Sequence, residues 1–256
     1  MSVWLQEMSW QELEQAVNSS KGVAILPIGS TEQHGYHLPL GTDSMVAITL
    51  AEAAAECTGA VAVPPVWFGW SPHHMVLPGT ITIRPEVLME LMYDILESLQ
   101  KHGFTKIVAI NGHRIVNISW MQLAAERAQR ILGMKVMIAD PAYLSKELIE
   151  GFGYGPLGHA EEIETSHMLY RYPELVHMEK AVDNPMQLHE LYSVDPSYAK
   201  DTRCYVPSTA KDMQASVDAA GGTSGSPSRS DKEKGKIYHE HIVENLAKII
   251  KSLQKM

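Results

Sequence analysis

Short apolar runs alternate with amphipathic stretches along the first 140 residues of this chain. Gly22 to Ile28, Ala60 to Trp67, Lys106 to Ile110 and Lys135 to Ala139 each read as a buried strand, four to eight residues long and bounded by turn signals. Between them lie segments with helical spacing. SWQELEQAV at 9–17 opens with Ser9 and Glu12 in capping-box register, and Thr42 to Cys57 is alanine-rich and stops before Gly59. Pro85 opens a helix that runs to about His102 with Gly103 as its stop, and a helix from about Asn117 to Leu132 is closed by Gly133. This order predicts βαβ units, hence an α/β fold with a mostly parallel sheet covered on both faces.

The second half is less regular. GHAEEIETSHMLYRY reads as a helix with three glutamates in its first turn, and Asp231 to about Leu253 as another. Residues 173–215 read as irregular. AAGGTSGSPSRS at 219–230 is turn-rich, either an ordered loop or a flexible linker, with composition favouring the linker. The chain shows no internal repeat and no clear domain boundary before residue 215.

Polar residues collect where the apolar runs end. The first run gives way to GSTEQHGYHLPLGTD, which delivers Glu32, His34, His37 and Asp43 within twelve positions. Glu32 and His34 are two apart, so an extended loop points both to one side, and Asp43 can return at the first turn of the next helix. Carboxylate with imidazole suits zinc, manganese or iron(II). The second run leads to His73 and His74, and the third to Asn111-Gly112-His113. In open parallel sheets ligands sit beyond the carboxyl ends of the strands, and every one of these candidates falls on that edge. Taken singly, each has a plainer reading: His113 as a helix cap, or Glu161, Glu162 and Glu164 as complements to a helix dipole.

Composition narrows the class. Of 256 residues, 45% are hydrophobic and 20% charged, as in ordinary globular proteins, and a formal net charge of −9 disfavours binding to phosphate backbones. No apolar run is long enough for a membrane span, and the N-terminus lacks the pattern of a secretory signal. Two cysteines, Cys57 and Cys204, make no disulfide framework, so a reducing cytoplasm is expected. A serine nucleophile has no Gly-x-Ser-x-Gly elbow, and 219–227 lacks the Lys-Ser/Thr of a phosphate loop.

Five segments together resemble the creatininase (creatinine amidohydrolase) family, in that family's order: PIGSTEQHGYHLPLGTD at 27–43, HHMVLPGT at 73–80, INGH at 110–113, GHAEEIETS at 158–166, and GSP with EKG between 225 and 235. The resemblance implies one three-layer α/β/α domain over residues 1–256, a homohexamer, and two divalent metal ions (zinc, manganese or iron(II)). Carried over by position, Glu32, Asp43 and His113 hold one ion and His34, Asp43 and Glu164 the other, with Asp43 shared. His159 falls at the acid/base position. The implied activity is opening of a small cyclic substrate, a cyclic amide, by a hydroxide bridging the ions.

Some positions depart from the family pattern. Creatinine-opening members carry a glutamate two positions after the strand-end histidine; here that residue is Ile115, and Glu162 is the candidate to replace the carboxylate. The two tryptophans that enclose creatinine align at about Ala142 and Gly155, which leaves Trp67, Trp70, Tyr143 or Tyr154 to line the pocket. His74 and Arg114 are the polar candidates for substrate contact. A polyhydroxylated cyclic diketone is the alternative substrate. A non-catalytic metal- or ligand-binding relative is the alternative of another class.

Overall fold

The computed structural model describes residues 2–186, 191–194 and 204–256. Helix α1 (Trp10–Ser19), capped by the reciprocal Ser9–Glu12 box, precedes β1 (Val23–Ile28), α2 (Thr42–Thr58), β2 (Val61–Ala62), α3 (Pro85–Lys101), β3 (Lys106–Asn111), α4 (Ile118–Leu132) and β4 (Lys135–Ala139). Two short helices, α5 (Pro141–Leu144) and α6 (Lys146–Gly151), lead to α7 (Glu162–Arg171). The two-residue strands β5 (Ser193–Val194) and β6 (Tyr205–Val206) pair with each other, and α8 (Ala210–Ala220) and α9 (Lys232–Leu253) follow.

The four main strands are parallel in the order β2-β1-β3-β4. Side chains alternate faces along a strand, so β1 and β3 serve two cores at once. Val23, Ile25, Val108 and Ile110 pack with α2 and α9, whereas Ala24, Leu26, Ile107 and Ala109 pack with α3 and α4. The result is a three-layer α/β/α sandwich. Burial of β1 on both faces explains its unbroken apolar run. Among the described residues no helix is long and apolar enough to cross a membrane.

The predicted elements differ from the structure in three places. The second strand is two residues long, not eight, because Pro64 and Pro65 interrupt the ladder; beyond them Ile28 and Val66 form only an isolated bridge. Residues 173–215 are not wholly irregular, since a Thr209–Asp212 capping box starts α8; residues 187–190 and 195–203 of that stretch lie outside the described residues. The 219–230 segment is no linker. Its Thr223 is fully buried, Ser224 pairs with His159, and Gly225 pairs with Asn184.

Candidate metal centre and active-site cavity

The pairing of β1 with β3 brings two loops together. Ile28 is in register with Asn111, and the Gly112 amide donates to the Ile28 carbonyl at 2.7 Å. The loop after β1 therefore starts beside His113. It closes on itself through Glu32 N–H to the Leu40 carbonyl (2.9 Å) and then enters α2, whose first turn carries Asp43. Glu164 arrives from the first turn of α7.

Five side chains meet there. Asp43 is central: its Oδ1 lies 3.1 Å from Nε2 of His34, and its Oδ2 lies 3.0 Å from Nδ1 of His113. Glu32 Oε2 is 3.4 Å from Nε2 of His113, and Glu164 Oε2 is 3.8 Å from Nε2 of His34. All five are buried. His159 stands over them with Nδ1 3.7 Å from Glu32 Oε1, and His74 Nε2 approaches the same oxygen at 3.2 Å.

Other residues hold this set in place. Ser30 Oγ donates to Glu32 Oε2 at 2.9 Å and lies 2.7 Å from Ser71 Oγ. Arg114 Nη2 contacts Glu161 Oε1 (2.7 Å) and Glu164 Oε1 (3.0 Å), so its charge balances two buried carboxylates. His159 is placed by the two backbone hydrogen bonds it exchanges with Ser224, at 3.0 and 2.8 Å. Gln33 touches both remaining histidines: its carbonyl accepts from His159 Nε2 at 2.6 Å, and its amide nitrogen is 2.9 Å from His74 Nδ1.

Buried carboxylates and imidazoles this close share protons. Burial pushes the Glu32 carboxyl up to about 7. Burial works in the same direction on Asp43, but His34 and His113 outweigh it and hold that carboxyl well below its usual range. Burial would lower His34 and His113; Asp43 with Glu164 and Glu32 raises the first to about 10, and Glu32 with Asp43 raises the second to about 9. His74 and His159 go the other way, held well below the ordinary imidazole range by burial and by their cationic neighbours.

The creatininase family model (creatinine amidohydrolase) matches residues 6–250. The chain belongs to the creatininase family. The creatinine amidohydrolase of Pseudomonas putida is 28% identical over 267 residues, spanning 98% of this chain and 96% of that protein. The 3-dehydro-scyllo-inosose hydrolase of Thermotoga maritima is 30% identical over 191 residues, 71% of this chain and 60% of the relative. A mutant creatininase of the Zn-Zn type superposes with a TM-score of 0.81 at 28% identity, covering 98% of each chain. Its relatives are hydrolases, and this chain is an enzyme of that class.

The donor set of this creatininase-family chain fits divalent metal. Glu32, Asp43 and His113 offer ligand atoms within 4.8 Å of one another, and so do His34, His159 and Glu164. Among the described residues, Oε1 of Glu32 and Oδ2 of Asp43 are buried without a hydrogen-bond partner, the nearby imidazole nitrogens lying out of line, an arrangement that costs free energy unless a cation answers it. Mixed imidazole and carboxylate ligands suit zinc and manganese alike.

Beside these groups opens a cavity of about 420 Å³, lined among others by Ile115, Val116 and Leu157 and by Met213, Ala215, Ser216 and Ala219 of α8. His74 and Arg114 line it. The Arg114 guanidinium, however, is held by Glu161 and Glu164 rather than offered to a ligand. Three other predicted contacts are not in the cavity wall. Trp70 packs into the core beneath α3 and α4, presenting only its carbonyl to His113 Nε2 at 3.3 Å. Tyr154 is turned to Ser166 and Lys234. Glu162 accepts from the amides of Gly155 (3.2 Å) and Ser226 (3.0 Å), fastening two loops behind the site. His37 is likewise committed, to Thr165 Oγ1 at 2.9 Å. Sequence reasoning missed Ser30, Ser71 and Gln33. The first and third lie inside the motif that carries Glu32 and His34, which was the available signal.

Proposed function

We propose that this chain is a single-domain, metal-dependent hydrolase that opens a small cyclic substrate. The observation that carries this reading is Asp43, which turns one carboxylate oxygen to His34 and the other to His113 and so fits a ligand shared by two ions. Glu32 and His113 complete one position, and His34 with Glu164 the other. Two divalent ions held there would make water nucleophilic near neutral pH and polarise a ring carbonyl. His159, neutral and directed at the same volume, takes up a proton and returns it to the atom that leaves the ring. The cavity orients the ring against the wall of Ile115 and Leu157.

A cyclic amide is the substrate suggested by the likeness to creatinine amidohydrolase. A second reading, a hydroxylated cyclic diketone, is favoured by the cavity itself. Its described lining has no Trp, Tyr or Phe to stack on a flat ring, and it includes Asn184, Ser208, Ser216 and Ser224. Exposure of Trp67, Phe68 and Ile81 beside the loop that carries Thr31 is consistent with a homo-oligomer, and the hexamer is what the family resemblance suggests. Free Cys57 and Cys204 fit a reducing, cytoplasmic setting.

The test is elemental analysis of protein purified without chelator or a metal-binding tag, followed by a screen of cyclic amides against cyclic polyhydroxy diketones. About two equivalents of transition metal and ring opening in either set support the reading. A metal content near zero that zinc or manganese cannot raise rejects it and leaves the non-catalytic relative.

A further inference from the structure

Gln33 lies between the two metal-site residues Glu32 and His34, yet its own side chain points elsewhere. Its Oε1 accepts from the Gly35 amide at 2.9 Å. That donor fixes which end of the amide is oxygen, since the reverse placement would set an NH2 against an N–H. The Nε2 end is surrounded by acceptors: His74 Nδ1 at 2.9 Å, Met213 Sδ at 3.3 Å and the Gly222 carbonyl at 3.4 Å. An amide nitrogen can only donate, so His74 Nδ1 is the accepting nitrogen and the ring proton of neutral His74 sits on Nε2. That nitrogen lies 3.2 Å from Glu32 Oε1, out of line for a hydrogen bond with it. The Gln33 carbonyl can only accept, so His159 carries its proton on Nε2 and keeps a lone pair on Nδ1.

We infer that Gln33 is a positioning residue that sets the tautomers of both histidines above Glu32. Its amide makes His74 a proton donor toward the site, and its carbonyl makes His159 a proton acceptor there. Two rings of one residue type, with centroids 4.4 Å apart, thereby receive opposite roles. With Nε2 protonated, His74 cannot complete an ion-binding trio with Glu32 and His159, although the three lie close enough. Ions are left to the Asp43-centred groups. Gln33 is well packed for this task, since a Cβ on Gly222 would come within 2.4 Å of its Oε1.

This inference deepens the hydrolase reading of the same cavity and rests on it. It is tested by ¹⁵N NMR of the histidine rings in the zinc-loaded protein, with His74→Gln and His159→Gln assigning the two rings by loss. Both rings should show the Nε2–H tautomer. Gln33→Glu replaces the donor with an acceptor and should move the His74 proton to Nδ1 while leaving His159 unchanged. Gln33→Met, which keeps the volume and removes the polar atoms, should leave His74 as a mixture of tautomers. Nδ1–H on His74 in the parent protein, or an unmoved proton in Gln33→Glu, overturns the inference. Zinc stoichiometry on the same samples separates the two claims. Two equivalents with the wrong tautomer defeat the role of Gln33 alone, whereas the expected tautomers without bound zinc support Gln33 and defeat the hydrolase reading.

Discussion

A Cβ on Gly112 would lie 2.0 Å from the carbonyl oxygen of Asp43. The turn after β3 thus presses against the first turn of α2, and this contact sets the spacing between His113 and Asp43. Gly112→Ala should force the two apart and cost about 3 kcal/mol or more, as overpacking does when backbone rather than a flexible side chain is in the way. Thermal melting and zinc content check it. A variant with the parent melting temperature and full zinc would show that the two turns can separate without harm.

Asp43 is the carboxylate shared between His34 and His113, so Asp43→Ala should lose both ions, whereas His113→Ala should lose mainly one. Elemental analysis of the folded variants decides it. One tightly held ion surviving in Asp43→Ala would refute the shared role.

Much of this site was legible because the chain writes it in a few compact segments. Glu32, His34 and Asp43 fall in one loop, and the rule that ligands gather at the carboxyl ends of parallel strands places His113 on the same edge. The four-strand α/β/α frame followed from the spacing of apolar runs for the same local reason. What local patterning does not carry is direction. Glu161, Glu162 and Glu164 are one helical turn, yet Glu164 faces His34, Glu161 faces Arg114 and Glu162 faces the Gly155 and Ser226 amides. Which faces inward depends on where Arg114 and the 225–230 loop arrive, and these come from distant parts of the chain. The glycines and serines of 219–230 looked like a linker by composition. Gly222 is instead packed against Gln33, and Ser224 is paired with His159, contacts that no composition encodes.

Stability of the metal-free protein should depend on pH in a direction set by this cluster. His34 and His113 have folded pKa values near 10 and 9, above the ordinary 6.5. Their contribution is complete below about pH 6.5 and is lost as pH rises through about 9 and then 10. Glu32, raised by burial from 4.5 to about 7, acts in the same sense, because the folded state keeps a proton that the unfolded chain has released. The melting temperature of chelator-treated protein should therefore fall between pH 6.5 and 10, above the range where the lowered His74 and His159 act in the opposite sense, by more than that of zinc-loaded protein, where metal replaces the imidazole protons. Zinc uptake near neutral pH should release protons, measurable by calorimetry in buffers of different ionisation enthalpy. Parallel pH profiles for the two forms would contradict the assignment.

Glu162→Gln should leave metal content and turnover close to the parent level. The side chain grips the Gly155 and Ser226 amides with separate oxygens, and a glutamine can supply only one. One bond is lost and an NH2 faces a donor, at a cost of roughly 1–2 kcal/mol. A large fall in kcat with metal intact would instead restore Glu162 as the carboxylate missing at Ile115.

Arg114 offers the sharpest separation of structural from chemical roles, because it is one cation between two buried acids. Glu161 is pushed up to about 7 by burial even with Arg114 pulling it down. Removing the cation in Arg114→Met leaves the carboxylates facing each other, and breaking a buried pair from one side costs about 3–5 kcal/mol. The sign of the pH effect follows. A carboxyl whose folded pKa is raised favours folding more as pH falls, so the variant should be least destabilised in acid and most destabilised above neutral pH. Adding Glu161→Gln should recover part of the loss by removing the stranded charge. Denaturant titrations of the three variants (single, single and double) at pH 5.5 and 8 measure both effects. Equal destabilisation at the two pH values, with no recovery in the double variant, would mean that Arg114 contributes through its packed stem rather than its charge.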